Sequence, residues 1–178
     1  KTLETDERIR AALPLAPAGG FTEIDADNVM AKALDFTWKR EVPVLYIVAE
    51  LDSILPLEGM QDMFNRNPDP KTTVVLLNAD HFHFNDAIEQ THDGYKLMLG
   101  MLTEGMDEDA RSSTEKMIAG MKPSSELVAG ADAYALINGL GLAHFDRELR
   151  GSQEAVSFLS GDLVARLAEH HINVKLLF

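Results

Sequence analysis

Two short runs of apolar, largely β-branched residues limit what the first half of this chain can fold into. Residues 42–49 read Val-Pro-Val-Leu-Tyr-Ile-Val-Ala, and residues 72–77 read Thr-Thr-Val-Val-Leu-Leu. Near-continuous apolar order of this kind is typical of parallel strands that are covered on both faces. Residues 57–64 carry apolar groups at helical spacing. The combination predicts a right-handed strand–helix–strand crossover.

The remainder of the chain adds one more apolar run and several helical patterns. Residues 9–16 end at Pro17 and at Gly19-Gly20, which predicts a further buried strand followed by a loop. Gly151 stands where it can end a long helix. The whole pattern predicts one domain over residues 1–178, with an α/β fold, a mainly parallel sheet and flanking helices. We predict helices over residues 87–102, 131–149, 154–158 and 162–169, and a variable connection over 103–125 that is partly helical over 113–121.

The chain carries a large excess of acidic residues. Its 16 Lys and Arg oppose 29 Asp and Glu, for a net charge of −13. A charge of this sign repels phosphate backbones and anionic lipids, so we expect neither nucleic acid nor a membrane as a partner. The absence of cysteine excludes disulfides, thiolate metal sites and a cysteine nucleophile within these residues.

The start of the chain bears on its location and on its completeness. Residues 1–6 lack the basic-then-apolar order of a signal peptide, so a cytoplasmic protein is the default expectation. Because the chain opens on Lys1 rather than on Met, we expect an upstream segment. That segment, a partner chain or a second copy of this chain would complete the sheet and cover its edge.

Two residues that can carry chemistry directly follow the two predicted strands. Asp52 lies in Ala-Glu-Leu-Asp-Ser-Ile-Leu-Pro, and His81 lies in Asn-Ala-Asp-His-Phe-His-Phe. Because the carboxyl ends of parallel strands meet at one edge of a sheet, we expect these side chains to lie close together. In a catalytic triad, Asp52 would fix the tautomer of His81, and His81 would take and return the proton of a nucleophile.

The order of these two blocks resembles a known enzyme superfamily. A strand with E-L-D-x-x-x-P, followed by a helix, a strand and A-D-H-x-H-F, is similar to the acid and histidine blocks of α/β-hydrolases; here they span residues 42–86. Residues 9–20 are similar to the strand after the nucleophile helix. Within the C-terminal helices of residues 131–170, residues 140–151 resemble those of dienelactone-hydrolase-like and acetylhydrolase-like members. The resemblance implies the C-terminal portion of one α/β-hydrolase domain, with Asp52 and His81 as acid and base.

The nucleophile of that triad is not recognisable in this chain. No G-x-S-x-G elbow or variant of it occurs. The resemblance therefore implies an upstream nucleophile, which can be Ser, Cys or Asp; an Asp would shift the reaction toward dehalogenation or epoxide opening. We expect hydrolysis of an ester or related acyl bond in a small-molecule substrate, without a cofactor or a metal. The serines that lack flanking glycines and a strand–turn–helix context are Ser53, Ser112, Ser113, Ser124, Ser125, Ser152, Ser157 and Ser160.

Two alternatives remain open. His81 and His83 stand two apart, as metal-binding pairs can, which would make a metal-dependent hydrolase. His81-x-His83-x-Asn85-Asp86 approximates the H-x-H-x-D-H pattern of metallo-β-lactamase-type hydrolases, although Asn85 and Asp86 differ from it. The other alternative is a non-catalytic α/β domain that pairs with another chain.

The sequence context also predicts where the remaining histidines and two phenylalanines lie. We expect His144, on an apolar helix, to be packed and hydrogen-bonded. Either Phe82 or Phe84 would line an acyl pocket or pack against the sheet. The histidines with polar neighbours, which we expect at the surface, are His92, His170 and His171.

Overall fold

The fold is seen in a computed structural model, which describes residues 2–17, 35–55 and 57–177. Over these ranges the chain is α/β, with a three-stranded mixed sheet and seven α-helices. The predicted loop at Gly19-Gly20 and the proline of the E-L-D-x-x-x-P block, Pro56, lie outside the described residues.

The two apolar runs form neighbouring parallel strands, as predicted. Strand β1 spans Val44–Ala49 and strand β2 spans Lys71–Leu76. Val44 pairs with Lys71, and the register continues to Ala49 and Leu76. The helix between them spans Leu57–Arg66, two residues longer than predicted at its C-terminal end. The strand–helix–strand crossover is therefore confirmed.

A third strand lies at the edge of the sheet and was not predicted. Strand β3 spans Val174–Leu177 and pairs antiparallel with β2, so that the strand order is β1-β2-β3. Four residues, one of them a lysine, are too few to show a strand period in the sequence. The sheet is therefore mixed, because its last strand returns against the direction of the other two.

Residues 9–16 lie beside β1 but do not form a continuous strand. Ala12 bridges Val44 and Leu15 bridges Ile47, both in parallel orientation. The carbonyl of Pro14 accepts a hydrogen bond from the amide of Ile47 at 3.1 Å. Proline has no N–H to donate in return, so the ladder is interrupted there. The predicted strand thus becomes two isolated bridges, and its residues are mostly half-buried.

The helices agree with the predicted patterns except between residues 103 and 125. There, one helix of 13 residues replaces the shorter helical stretch predicted for 113–121. Gly151 ends the long C-terminal helix in the left-handed conformation, with φ of 66°, as predicted. None of the helices in the described ranges has the length and apolar character that crossing a membrane requires. The helices are α1 (Thr2–Thr5), α2 (Leu57–Arg66), α3 (Ile88–Leu102), α4 (Glu108–Gly120), α5 (Gly130–Arg150), α6 (Gln153–Ser160) and α7 (Leu163–Ala168).

Both faces of the sheet are covered, which explains why every residue of β1 is buried. Alternate residues of a strand point to opposite faces. On one face, Leu45 and Ile47 pack with residues of α5 and α7, such as Leu136 and Leu167. The other face of β1 packs against α2 through Val44, Tyr46, Val48, Met60, Met63 and Phe64.

The covered sheet predicts a sharp contrast between two leucines of α5. Leu140 is fully buried in the core, whereas Leu142 is 64% exposed. We expect Leu140→Ala to lower the free energy of unfolding by about 2–5 kcal/mol, because it leaves a cavity. Leu142→Ala is the matched control and should change it by less than about 0.5 kcal/mol. Urea denaturation measures both, and equal effects would contradict the described packing.

Candidate active site

The acid turn, residues 50–55, continues directly from β1. The amide of Glu50 donates to the carbonyl of Leu76 at 3.0 Å, and the amide of Leu51 donates to that of Ala79 at 2.8 Å. These bonds extend the pairing of β1 and β2 beyond the strands. The acid turn is therefore held next to the turn that carries His81.

The carboxylate of Asp52 has two separate tasks. Its Oδ1 accepts hydrogen bonds from the amides of Ile54 at 2.9 Å and Leu55 at 2.6 Å, which closes the acid turn. Its Oδ2 lies 2.9 Å from Nδ1 of His81. The structural role of Asp52 as a turn former and its contact with the histidine therefore coexist, one on each oxygen.

His81 lies in the histidine turn, residues 77–84, which follows β2. Asn78 adopts the left-handed conformation, with φ of 53°, where the chain turns. Its backbone amide donates a hydrogen bond to the side-chain carboxylate of Glu50. A short 3₁₀-helix, His81–Phe84, comes next. Because a carboxylate only accepts hydrogen bonds, Nδ1 of His81 carries the proton that Asp52 binds. Within the described ranges no hydrogen bond reaches Nε2, which is left to act as an acceptor.

The surroundings of His81 favour its protonated form. The hydrogen bond that Nδ1 of His81 donates to Asp52 is the largest influence and raises the pKa of His81 above its ordinary value. Partial burial acts in the opposite direction, and the negative charges of Asp52 and Asp80 add to the rise. An imidazole that is stabilised as a cation by a carboxylate is suited to accept a proton during a reaction.

His83 is turned away from His81 and is buried, with 1% exposure. Its Nδ1 accepts from the amide of Asp80 at 2.9 Å, and its Nε2 donates to the carbonyl of Val128 at 2.8 Å. Both ring nitrogens are thus engaged by backbone groups. The two histidines do not form a metal-binding pair in this arrangement, and the described part of the chain has no cluster of three side chains suited to a metal ion.

The prediction that His92 lies at the surface is wrong. Its side chain is fully buried, and its ring stands edge-on to Phe82 at a centroid distance of 5.7 Å. Its polar sequence neighbours, Thr91 and Asp93, lie on other sides of α3, whereas His92 shares the buried side with Ile88. Helical periodicity could have revealed this, because 88 and 92 are one turn apart.

The remaining predictions have mixed outcomes. His144 is buried as predicted, but neither of its ring nitrogens has a hydrogen-bond partner in the described structure. Burial is the main cause that lowers its pKa, and the positive charge of Arg147 lowers it further. The charge of Glu148 and the carbonyls of Ala12 and Pro43 act on this pKa in the opposite direction. The predicted surface positions of His170 and His171 are confirmed.

Phe82 and Phe84 both pack into the structure. Phe82 contacts Tyr95 of α3 with ring centroids 5.0 Å apart, and Phe84 packs on the main core. Phe84 therefore shows the predicted packing against the core of the sheet, whereas Phe82 packs on α3 instead. A role of either residue in an acyl pocket stays a prediction.

A cleft of about 350 Å³ lies beside the acid turn. One of its walls is α4, which contributes Lys116, Met117 and Gly120. This wall was missed at the sequence level, although Met117 and Met121 at helical spacing pack α4 onto the cluster around Phe82. Asp52 contributes to the lining of the cleft, whereas His81 does not.

Comparison of the chain with family models, with curated proteins and with solved structures finds no match. What this site does must therefore be inferred from its own geometry and chemistry.

The Asp52–His81 hydrogen bond predicts a measurable shift of the His81 titration. Its pKa is raised, so His81 stabilises the fold most below about pH 6.5, the ordinary value, and this contribution is lost as the pH rises through the folded-state pKa. Asp52→Asn should keep the turn through Oδ1 but move the His81 titration to lower pH. NMR of the histidine ring protons measures this. Glu58→Gln, an exposed carboxyl beside the same turn, is the control and should leave the titration unchanged.

Proposed function

We propose that this chain supplies the acid and the base of an enzyme that hydrolyses ester or related acyl bonds through a covalent intermediate. The observation that carries the proposal is the 2.9 Å hydrogen bond between Asp52 Oδ2 and His81 Nδ1, with Nε2 of His81 left without a described partner. An acid buried to 3% exposure and a histidine with 23% exposure fit this division of work. The acid orients the base, and the base reaches the reacting atoms.

The chemistry follows from the proton positions. Nε2 of His81 accepts the proton of a nucleophile as that nucleophile bonds to the carbonyl carbon of the substrate. Asp52 stabilises the resulting imidazolium through Nδ1. His81 then gives the proton to the leaving alcohol or amine as the carbonyl reforms. A water molecule, activated by His81 in the same way, releases the acyl group and restores the nucleophile.

The nucleophile is proposed to come from a segment that precedes this chain. Ser53, the serine next to the acid, has a buried hydroxyl without a hydrogen-bond partner in the described structure. A buried hydroxyl of this kind cannot meet a substrate. For this acyl chemistry, the nucleophile can be Ser or Cys, each of which gives up a proton to His81. An Asp at that position, which the resembled α/β-hydrolases also allow, carries no proton and would shift the reaction toward dehalogenation or epoxide opening.

An unpaired backbone edge supports such an upstream strand. The backbone groups of Ala12 and Pro14 bond to β1 and its flank. Those of Leu13 and Leu15 point the other way, and no hydrogen bond from the described ranges reaches them. A further parallel strand on this edge would deliver the residue after it to the edge of the sheet that holds Asp52 and His81. The finer proposal is therefore the C-terminal portion of an α/β-hydrolase fold.

The proposal predicts that His81→Ala removes turnover. In the complete protein we expect hydrolysis of a chromogenic ester to fall by about 10⁴-fold or more, because the nucleophile loses the base that takes its proton. His170→Ala, at an exposed histidine far along the chain, is the matched control and should retain full activity. Unimpaired turnover by a folded His81→Ala variant would disprove the proposal.

A covalent probe identifies the nucleophile in the same material. A fluorophosphonate that labels one serine outside this chain, and labels it much more slowly in His81→Ala, would establish a serine enzyme. Ester turnover without labelling would indicate a Cys nucleophile instead.

A further inference from the structure

One buried carboxylate contacts both turns of the candidate site. Asp80 is 2% exposed and directly precedes His81. Its Oδ2 accepts a hydrogen bond from the amide of Ser53 at 3.0 Å, and its Oδ1 accepts one from the amide of Phe82 at 3.3 Å. Ser53 follows the acid in sequence, and Phe82 follows the base. The Asp80 side chain therefore bridges the residues next to Asp52 and His81.

The backbone of Asp80 is fixed as firmly as its side chain. Its amide donates to Nδ1 of His83, and its carbonyl accepts from the amide of His83 at 3.1 Å. His83 is in turn tied to the carbonyl of Val128. Asp80 consequently has little freedom to move, and a bond from Ser53 to its side chain restrains the acid turn as well.

Capping alone does not require a carboxylate at this position. Asp80 is the N-cap of the 3₁₀-helix His81–Phe84, a task that serine or asparagine performs equally well. Burying a charge costs free energy unless it is well paired. Capping uses Oδ1 of Asp80 and does not explain why Oδ2 accepts a hydrogen bond from the amide of Ser53. Nε2 of the buried His92 lies 3.8 Å from Oδ1 and adds a polar neighbour without a hydrogen-bond partner in the described structure.

We propose that Asp80 is a positioning residue, which sets the distance between Asp52 and His81 by joining the acid turn to the histidine turn. The effect of Asp80 on catalysis rests on the proposed function, whereas its effect on the distance between Asp52 and His81 does not. The negative charge of Asp80 also contributes to the raised pKa of His81, after the larger influence of Asp52.

Two variants separate positioning from capping. Asp80→Asn keeps the size of the side chain but replaces one acceptor with an NH₂ group, which faces an amide donor on one of the two turns. Asp80→Ser keeps the cap to the 3₁₀-helix but is too short to reach the amide of Ser53. Asp86→Asn is the matched control, because Asp86 is an exposed carboxylate close by that can still accept from Tyr134 as asparagine.

The experiment combines kinetics with NMR in the complete protein. We expect kcat for a chromogenic ester to fall about tenfold to a hundredfold in both Asp80 variants, with KM little changed, as for a catalytic group displaced by about 1 Å. The Nδ1–H signal of His81 should weaken or shift, and its titration should move to lower pH. Asp86→Asn should match the wild type in all three measurements. A merely structural role would change the folded fraction and leave the His81 signal in the folded molecules intact.

The proposal is overturned if a folded Asp80 variant shows the His81 signal and titration of the wild type. It is also overturned if activity falls only in proportion to the folded fraction. Should both variants fail to fold, hydrogen exchange in the wild type decides, because the amide of Ser53 must then be strongly protected and rapid exchange contradicts the bridge. If the wild type hydrolyses no ester, the proposed function fails, whereas the NMR comparison still tests Asp80.

Discussion

The parallel pairing of β1 and β2 is the constraint on which the candidate site depends. It brings the ends of both strands to one edge of the sheet, and two further backbone bonds, from Glu50 and Leu51, extend it into the turns. A shift of one residue in this register would move the side chains of each face of β1 to the opposite face, against the wrong helices, and would separate Asp52 from His81. The packing on both faces of β1 therefore stabilises the site as well as the sheet.

Sequence patterns predicted the parts of the fold whose signal is local. The apolar order and the β-branched side chains of residues 42–49 favoured a buried strand, and Gly151 marked a helix end because the left-handed conformation favours glycine. Strand β3 was not predicted, because its four residues acquire strand geometry only by pairing with β2. The run containing Pro14 was overestimated, since one missing N–H interrupts a ladder that its apolar residues would otherwise support.

The candidate site divides in the same way. Asp52 and His81 could be named from the sequence, since each directly follows a strand. The orientation of His83 could not, because it is set by the carbonyl of Val128, which is far away in the sequence. The burial of His92 depends on which side of α3 meets the histidine turn. The spacing of His81 and His83 suggested a metal-binding pair. Instead, His81 bonds to Asp52 in the candidate site, and His83 bonds to the distant carbonyl of Val128.

The exposure of each polar group in the candidate site agrees with the role proposed for it. Asp80 and the side chain of Asp52 are almost completely buried, whereas the side chain of His81 retains 23% exposure. Hydrogen bonds are electrostatically stronger where water is excluded, so the groups that orient gain from burial. The group that exchanges protons must reach a second molecule and cannot be closed off. A histidine held from its buried side and open at Nε2 combines both requirements. Both carboxylates behind it accept hydrogen bonds from backbone amides of the turns, and they differ because Asp52 also bonds to the imidazole ring whereas Asp80 does not.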